Sequence, residues 1–129
     1  MGENADIILE ARGLRKAYDA GGRDLEVLKG VDLQVHAGEL IAVMGESGVG
    51  KSTLLHLLGT LDRPSGGELR IAGTDVLALE DRALSRFRNQ HIGFVFQFHH
   101  LLTEFSALEN VLMPAIVAGR DMRAEAVAL

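Results

Sequence analysis

The sequence predicts an α/β fold in which an antiparallel β subdomain joins an α/β core layer. Three observations carry that expectation. Val31, Leu33 and Val35 alternate against Asp32, Gln34 and His36, which is the two-residue period of a half-buried strand early in the chain. A continuous apolar run, Leu40-Ile41-Ala42-Val43-Met44, has the pattern of a strand covered on both faces. A glycine cluster and then an apolar-faced helical pattern follow it directly, making a strand–loop–helix unit.

Taken in chain order, residues 7–11 read as the first strand and residues 25–35 as the second, with Gly21 and Gly22 marking a loop over 19–24. Residues 37–39 form a turn before the apolar run at 40–44. Residues 51–59 read as a helix, because Leu54, Leu55, Leu57, Leu58 and Leu61 recur at helical spacing. Gly59 lies near its end, and Asp62-Arg63-Pro64-Ser65-Gly66-Gly67 stops anything further. Residues 68–72 alternate as another strand. Residues 80–89 predict a polar helix with Ala83, Leu84 and Phe87 on one face, and residues 92–96 a second buried strand. Residues 108–117 predict an apolar helix that Pro114 should kink or divide, and residues 122–129 a last helix.

Composition narrows the function. A chain of 129 residues is one domain or a piece of one, and 47% hydrophobic with 24% charged residues excludes general disorder. The net charge of −5 argues against a general nucleic-acid or anionic-membrane surface. With no cysteine, disulfides, thiolate metal sites and cysteine nucleophiles are excluded. No apolar run approaches the roughly 20 residues of a membrane span. Glu3 and Asp6 stand where a signal peptide would be basic. The expectation is an intracellular protein that meets a membrane only through a partner.

Residues 45–52, Gly45-Glu46-Ser47-Gly48-Val49-Gly50-Lys51-Ser52, fit G-x-x-x-x-G-K-[ST] without mismatch, between a strand pattern and a helix pattern. Glycines let the backbone wrap closely, and its N–H groups gather as an anion nest at the positive end of the helix. Lys51 supplies a mobile charge for β- and γ-phosphates, and Ser52 a hydroxyl for Mg²⁺. A glycine-rich turn before a helix with an exposed lysine is the plainer alternative, and the strand and helix flanks speak against it. The motif predicts a nucleoside triphosphate site.

The surrounding residues resemble one phosphate-loop family. Residues 46–55, the stretch 61–67, Phe94-Val95-Phe96-Gln97 and Tyr18 are similar to the nucleotide-binding subunits of ATP-binding-cassette (ABC) transporters. The tract 96–102 and Ala107-Leu108-Glu109-Asn110-Val111 resembles the ATPase subunits of lipoprotein-releasing (Lol) systems, with macrolide-exporter-type ATPases as the alternative. Thr103 departs from that pattern, which has proline there. The resemblance covers residues 8–118. No Leu-Ser-Gly-Gly-Gln-like signature, no Walker B strand ending in Asp-Glu and no switch histidine occurs among His36, His56, His91, His99 and His100. It therefore implies that residues 1–129 are the N-terminal part of a single ABC ATP-binding domain, ending before the signature and Walker B motifs.

The resemblance also implies roles. Tyr18 would stack on adenine. Gly45, Glu46, Ser47, Gly48, Val49, Gly50, Lys51, Ser52 and Thr53 would cradle ATP. Ser52 and Gln97 would meet Mg²⁺, and Lys51 and Gln97 would serve catalysis, with the general base absent from these residues. The partners implied are integral membrane transporter subunits, in contact through His99 and His100, and a second ATPase subunit. Adjacent histidines on an extended segment point apart, so a metal there is not expected. The implied place is the cytoplasmic face of a bacterial inner membrane. The chain by itself is expected to be inactive as an ATPase. Rival readings are a nucleotide- or partner-binding module without turnover, and a small phosphate-loop kinase or GTPase, the latter lacking an Asn-Lys-x-Asp guanine reader.

Overall fold

The computed structural model describes residues 6–129; Glu3, used above against a leader peptide, lies outside the described residues. The chain divides into two compact units, one running to Leu84 and the other covering Ser85–Leu129.

The first unit is built on an antiparallel sheet of order β2-β1-β3-β4. Strands β1 (Ile7–Asp19) and β2 (Asp24–His36) pair along their length, from Ile7 opposite His36 to Asp19 opposite Asp24. Gly21 and Gly22, at φ +71° and +85°, turn the chain between them, and Gly22 N donates to Asp19 Oδ1 at 2.7 Å. β1 runs well past the expected residue 11. Its register shifts between Ala11 and Leu14 against β2 and between Arg12 and Arg15 against β3. This bulge breaks the two-residue alternation that would have revealed the strand's second half. β3 (Gly66–Ile71) lies on the other side of β1, with Arg15 opposite Gly66 and Leu9 opposite Ile71. The short β4 (Thr74–Asp75) and a 3-10 turn at Val76–Ala78, capped by Asp75 Oδ1 accepting from Leu77 N at 3.1 Å, were not expected from the sequence.

Helix α1 (Lys51–Leu58) ends at Gly59 as expected, with Gly59 N donating to Leu55 O at 2.9 Å. It contributes Leu57 to a core in which Leu14, Leu57, Leu69 and Val76 are fully buried. Each such side chain removed from water stabilises the fold by roughly 1.5–3 kcal/mol. Helix α2 (Asp81–His91) buries Leu84 and Phe87. Ala83 is exposed, contrary to expectation, because the buried stripe runs from Leu84 through Phe87 toward Arg88, and residue 83 falls about 100° from Leu84.

Two expected buried strands are not strands. Residues 40–44 and 92–96 carry no ladder, with Leu40 99% and Val95 103% exposed. Among the described residues no strand pairs with either segment, and an extended run without a hydrogen-bonding neighbour cannot form a sheet. The apolar surface at 40–44 lies in the open instead.

In the second unit, α3 (Ala107–Val117) starts at a capping box. Ser106 Oγ accepts from Glu109 N at 3.1 Å while Glu109 Oε2 accepts from Ser106 N at 3.2 Å. Pro114 does not divide α3. The capping box holds the helix before it, and Ala118 N donating to Pro114 O at 3.1 Å closes the turn after it. A last short helix, α4 (Arg123–Val127), follows.

Candidate functional site

The glycine cluster at 45–50 leads into α1, and Gly50 is the N-cap of that helix in the left-handed region, at φ +101°. No side chain caps this end, and no acidic residue lies in its first turn. The N-terminal donors and the positive end of the helix are therefore presented to the loop without a competing carboxylate. Lys51 folds back over the loop, its Nζ donating to Gly45 O. An open depression of about 400 Å³ is lined by Val27, Ser47, Gly48, Gly50, Lys51, Ser52 and Thr53. Gly45, Glu46 and Val49 do not line it.

Close packing fixes the loop's back. A Cβ built at Gly50 would stand 3.0 Å from Val27 Cγ1 and 3.1 Å from Leu28 Cδ2. The loop thus sits directly on β2. A concave lining at the start of a helix, with the Lys51 ammonium and the Ser47, Ser52 and Thr53 hydroxyls, suits a polyphosphate, and Ser52 supplies a hard oxygen of the kind Mg²⁺ takes. Val27 was not among the residues singled out from the sequence. Nothing local marks it, because its place depends on β2 passing under Gly50.

Tyr18 does not line the depression. It lies near the end of β1 opposite Leu25, two residues before Val27 on the paired strand. The residue is 41% exposed, with Lys16 Nζ 5.0 Å from the ring centroid and Tyr18 Oη donating to Asp62 Oδ2 at 3.4 Å. The Lys16 hydrogen bond is the main influence holding the Asp62 carboxyl below its ordinary range, ahead of an opposing desolvation.

The other expected site residues belong to the second unit. Gln97 is exposed in the bend after Phe96. His100, at φ +50°, meets Phe96 edge-on at 4.7 Å between ring centroids, and His99 Nδ1 accepts from Leu101 N at 3.2 Å. The two imidazoles thus have separate neighbours. Asn110 was quoted only as part of a tract, yet it organises this segment. Its Oδ1 accepts from Leu102 N at 2.8 Å, and its Nδ2 donates to Leu102 O, Phe105 O and Ser106 O at 2.9–3.1 Å.

Known proteins resemble the chain closely. The lipoprotein-releasing system ATP-binding protein LolD of Geobacter metallireducens is 59% identical over 112 residues, covering 87% of this chain and 50% of that protein. LolD of Chromohalobacter salexigens is 56% identical over 117 residues, covering 91% of this chain and 49% of its own length. The chain thus spans about half the length of the curated relatives it matches. Among solved structures, the dimeric post-hydrolysis state of the ATP-binding cassette MJ0796 bound to ADP and Pi superposes with a TM-score of 0.86 at 36% identity, covering 93% of this chain and 54% of that one. The family model for the ABC transporter matches residues 28–128, more than half of the chain, and the chain belongs to the ABC transporter family.

Proposed function

We propose that residues 1–129 are the N-terminal part of one ABC ATP-binding domain, in a subunit that couples ATP hydrolysis to release of lipoproteins from a bacterial inner membrane. The observation that carries this reading is the loop itself: Gly50 caps α1 in the left-handed region while Lys51 folds back to Gly45 O beside an open depression at the start of the helix. The lipoprotein-releasing role carried in the name of the LolD relatives supports the cargo class.

In this reading the triphosphate of ATP takes the N–H groups of residues 47–53, and Lys51 exchanges the neutral Gly45 carbonyl for anionic β- and γ-phosphate oxygens, which adds ion-pair attraction to a bond whose donor is already charged. Ser52 offers its hydroxyl to Mg²⁺, and Gln97 is assigned to the same ion and to water by family resemblance. Mg²⁺, when bound, offsets phosphate charge. The chain's own share is positioning and charge stabilisation, and the general base lies outside these residues. Tyr18 offers its exposed ring to adenine. A second ATPase subunit and integral membrane subunits complete the assembly, the latter met through His99 and His100. No helix among the described residues is long and apolar enough to cross a membrane, and the proposed place is the cytoplasmic face, held by those subunits.

Isothermal titration tests the site. Lys51→Ala should weaken ATP binding by more than it weakens ADP binding, since the ammonium reaches the terminal phosphates. Equal losses for the two nucleotides would contradict the assignment.

A further inference from the structure

β3 pairs with β1 only as far as Arg15 opposite Gly66. Beyond that point the turn containing Asp62, Arg63 and Ser65 takes its place beside β1. Ser65 N donates to Arg15 O at 2.8 Å, and Ala17 N donates to Ser65 Oγ at 3.0 Å. Lys16 Nζ donates to Arg63 O at 2.7 Å and pairs with Asp62 Oδ2 at 2.9 Å. The Lys16 side chain is only 13% exposed, so this ammonium is held in one place. Arg63 anchors the turn from the other side, with its Nη2 on Leu79 O at 3.0 Å and on Asp81 Oδ1 at 2.9 Å. The same Asp62 oxygen accepts from Tyr18 Oη, and the same Lys16 ammonium stands over the Tyr18 ring.

We propose that Lys16 and Asp62 are positioning residues for Tyr18, fixing its ring so that the ammonium covers one face and the opposite face is presented to a purine base. The proposal rests on Tyr18 being the adenine platform. A cation on one face of an aromatic ring is an ordinary favourable contact, and it excludes that face from stacking. An exposed tyrosine at a strand end would otherwise sample several rotamers, and ordering it before the base arrives removes that entropy from the binding step. The Tyr18–Asp62 contact is long at 3.4 Å, so the 2.9 Å Lys16–Asp62 pair sets the geometry and the phenol follows it.

Tyr18 is the only tyrosine in a sequence without tryptophan, so tyrosine emission reports on this ring alone. The test compares ATP with inorganic triphosphate as ligands for the unaltered chain, Asp62→Ala, Asp62→Asn, Tyr18→Ala and the Tyr18→Ala/Asp62→Ala pair. Asp62→Ala should brighten Tyr18 emission by removing the neighbouring carboxylate, and should weaken ATP by about fivefold to tenfold, a fraction of what base–aromatic stacking contributes. Triphosphate affinity should stay within about twofold, because the phosphate site is untouched. Asp62→Asn, which keeps an acceptor for both partners, should retain most of the ATP affinity. The double variant should bind ATP no worse than Tyr18→Ala alone, as expected for residues acting through one group. If Asp62→Ala leaves ATP affinity unchanged, lowers both ligands equally or adds fully to Tyr18→Ala, the positioning role is overturned while the platform stands. An unchanged ATP affinity in Tyr18→Ala overturns the platform and the proposal with it.

Discussion

Gly50 and Val27 are pressed together where the glycine-rich loop crosses β2: a Cβ on residue 50 would stand 3.0 Å from Val27 Cγ1 and 3.4 Å from the Val27 carbonyl oxygen. The same residue holds φ +101°, a region that L side chains avoid. Gly50→Ala therefore meets two penalties, one steric and one conformational. It should destabilise the chain by roughly 1–3 kcal/mol and lift the loop away from β2. Urea unfolding measures the first effect and ATP titration the second. Stability and affinity both equal to those of the unaltered chain would show that the loop does not rest on β2.

How much of this was legible in the sequence follows from how far apart the interacting residues lie. The loop at 45–52 and helix α1 were readable because motif, cap and helix are contiguous, and each signal is local. The sheet was partly readable, since β2 keeps its alternation, whereas the bulge near Gly13 hid the second half of β1. Residues 40–44 and 92–96 look like buried strands by composition, but burial needs neighbours, and none pairs with them among the described residues. Within the candidate site, Lys51 and Ser52 were found by motif, while Val27 and Asp62 take their places only through strand pairing and a turn whose contacts with Lys16 span 47 residues of sequence. Asn110 gave no signal because its partners are backbone groups that any sequence offers.

Gly67 is the tighter case. With φ +97°, a Cβ there would lie 2.5 Å from Gly13 O and 2.7 Å from Leu14 Cα, both backbone atoms at the β1 bulge. Backbone cannot move aside as a side-chain tip can, so β1 and β3 must separate. Gly67→Ala should cost more than about 3 kcal/mol. Gly73→Ala is the control: its φ is +75° but nothing lies within 4 Å, so only the left-handed backbone is penalised, by about 1–2 kcal/mol. Thermal unfolding of the two variants should therefore separate them clearly, and equal losses would refute the close approach at the bulge.

Asn110 ties residues 102–106 to the start of α3 through both ends of its amide. Asn110→Ala leaves the amide of Leu102 and three carbonyls to bond with water instead, at roughly 0.5–1.5 kcal/mol for each bond lost. Asn110→Asp keeps the acceptor for Leu102 N but sets a carboxylate against carbonyl oxygens, so it should rescue little. Hydrogen exchange at the Leu102 amide is the direct measurement. Exchange should accelerate in Asn110→Ala and less so in Asn110→Asp, which keeps the acceptor for that amide, and an unchanged rate in Asn110→Ala would mean that the segment is held by something else.

The Lys16–Asp62 pair also predicts a pH response with a definite sign. Its hydrogen bond with Lys16 holds the Asp62 carboxyl below its ordinary value of 3.8. A carboxylate whose pKa is lowered by folding contributes stability above its unfolded pKa and loses that contribution as pH falls through the lower, folded value. Between pH 7 and about pH 5 the pair should be intact and Tyr18 emission flat. Emission should rise only below pH 3.8, when the carboxylate beside the phenol is protonated and the ammonium loses its partner. The Asp62 side chain is 38% exposed, so the pair is partly screened and its share of global stability is small. The spectral step, read on the one tyrosine, is therefore the sensitive measurement. Asp62→Asn should abolish it while leaving the secondary structure seen by circular dichroism unchanged. A step centred above pH 5, or one that persists in Asp62→Asn, would show that another group controls the ring.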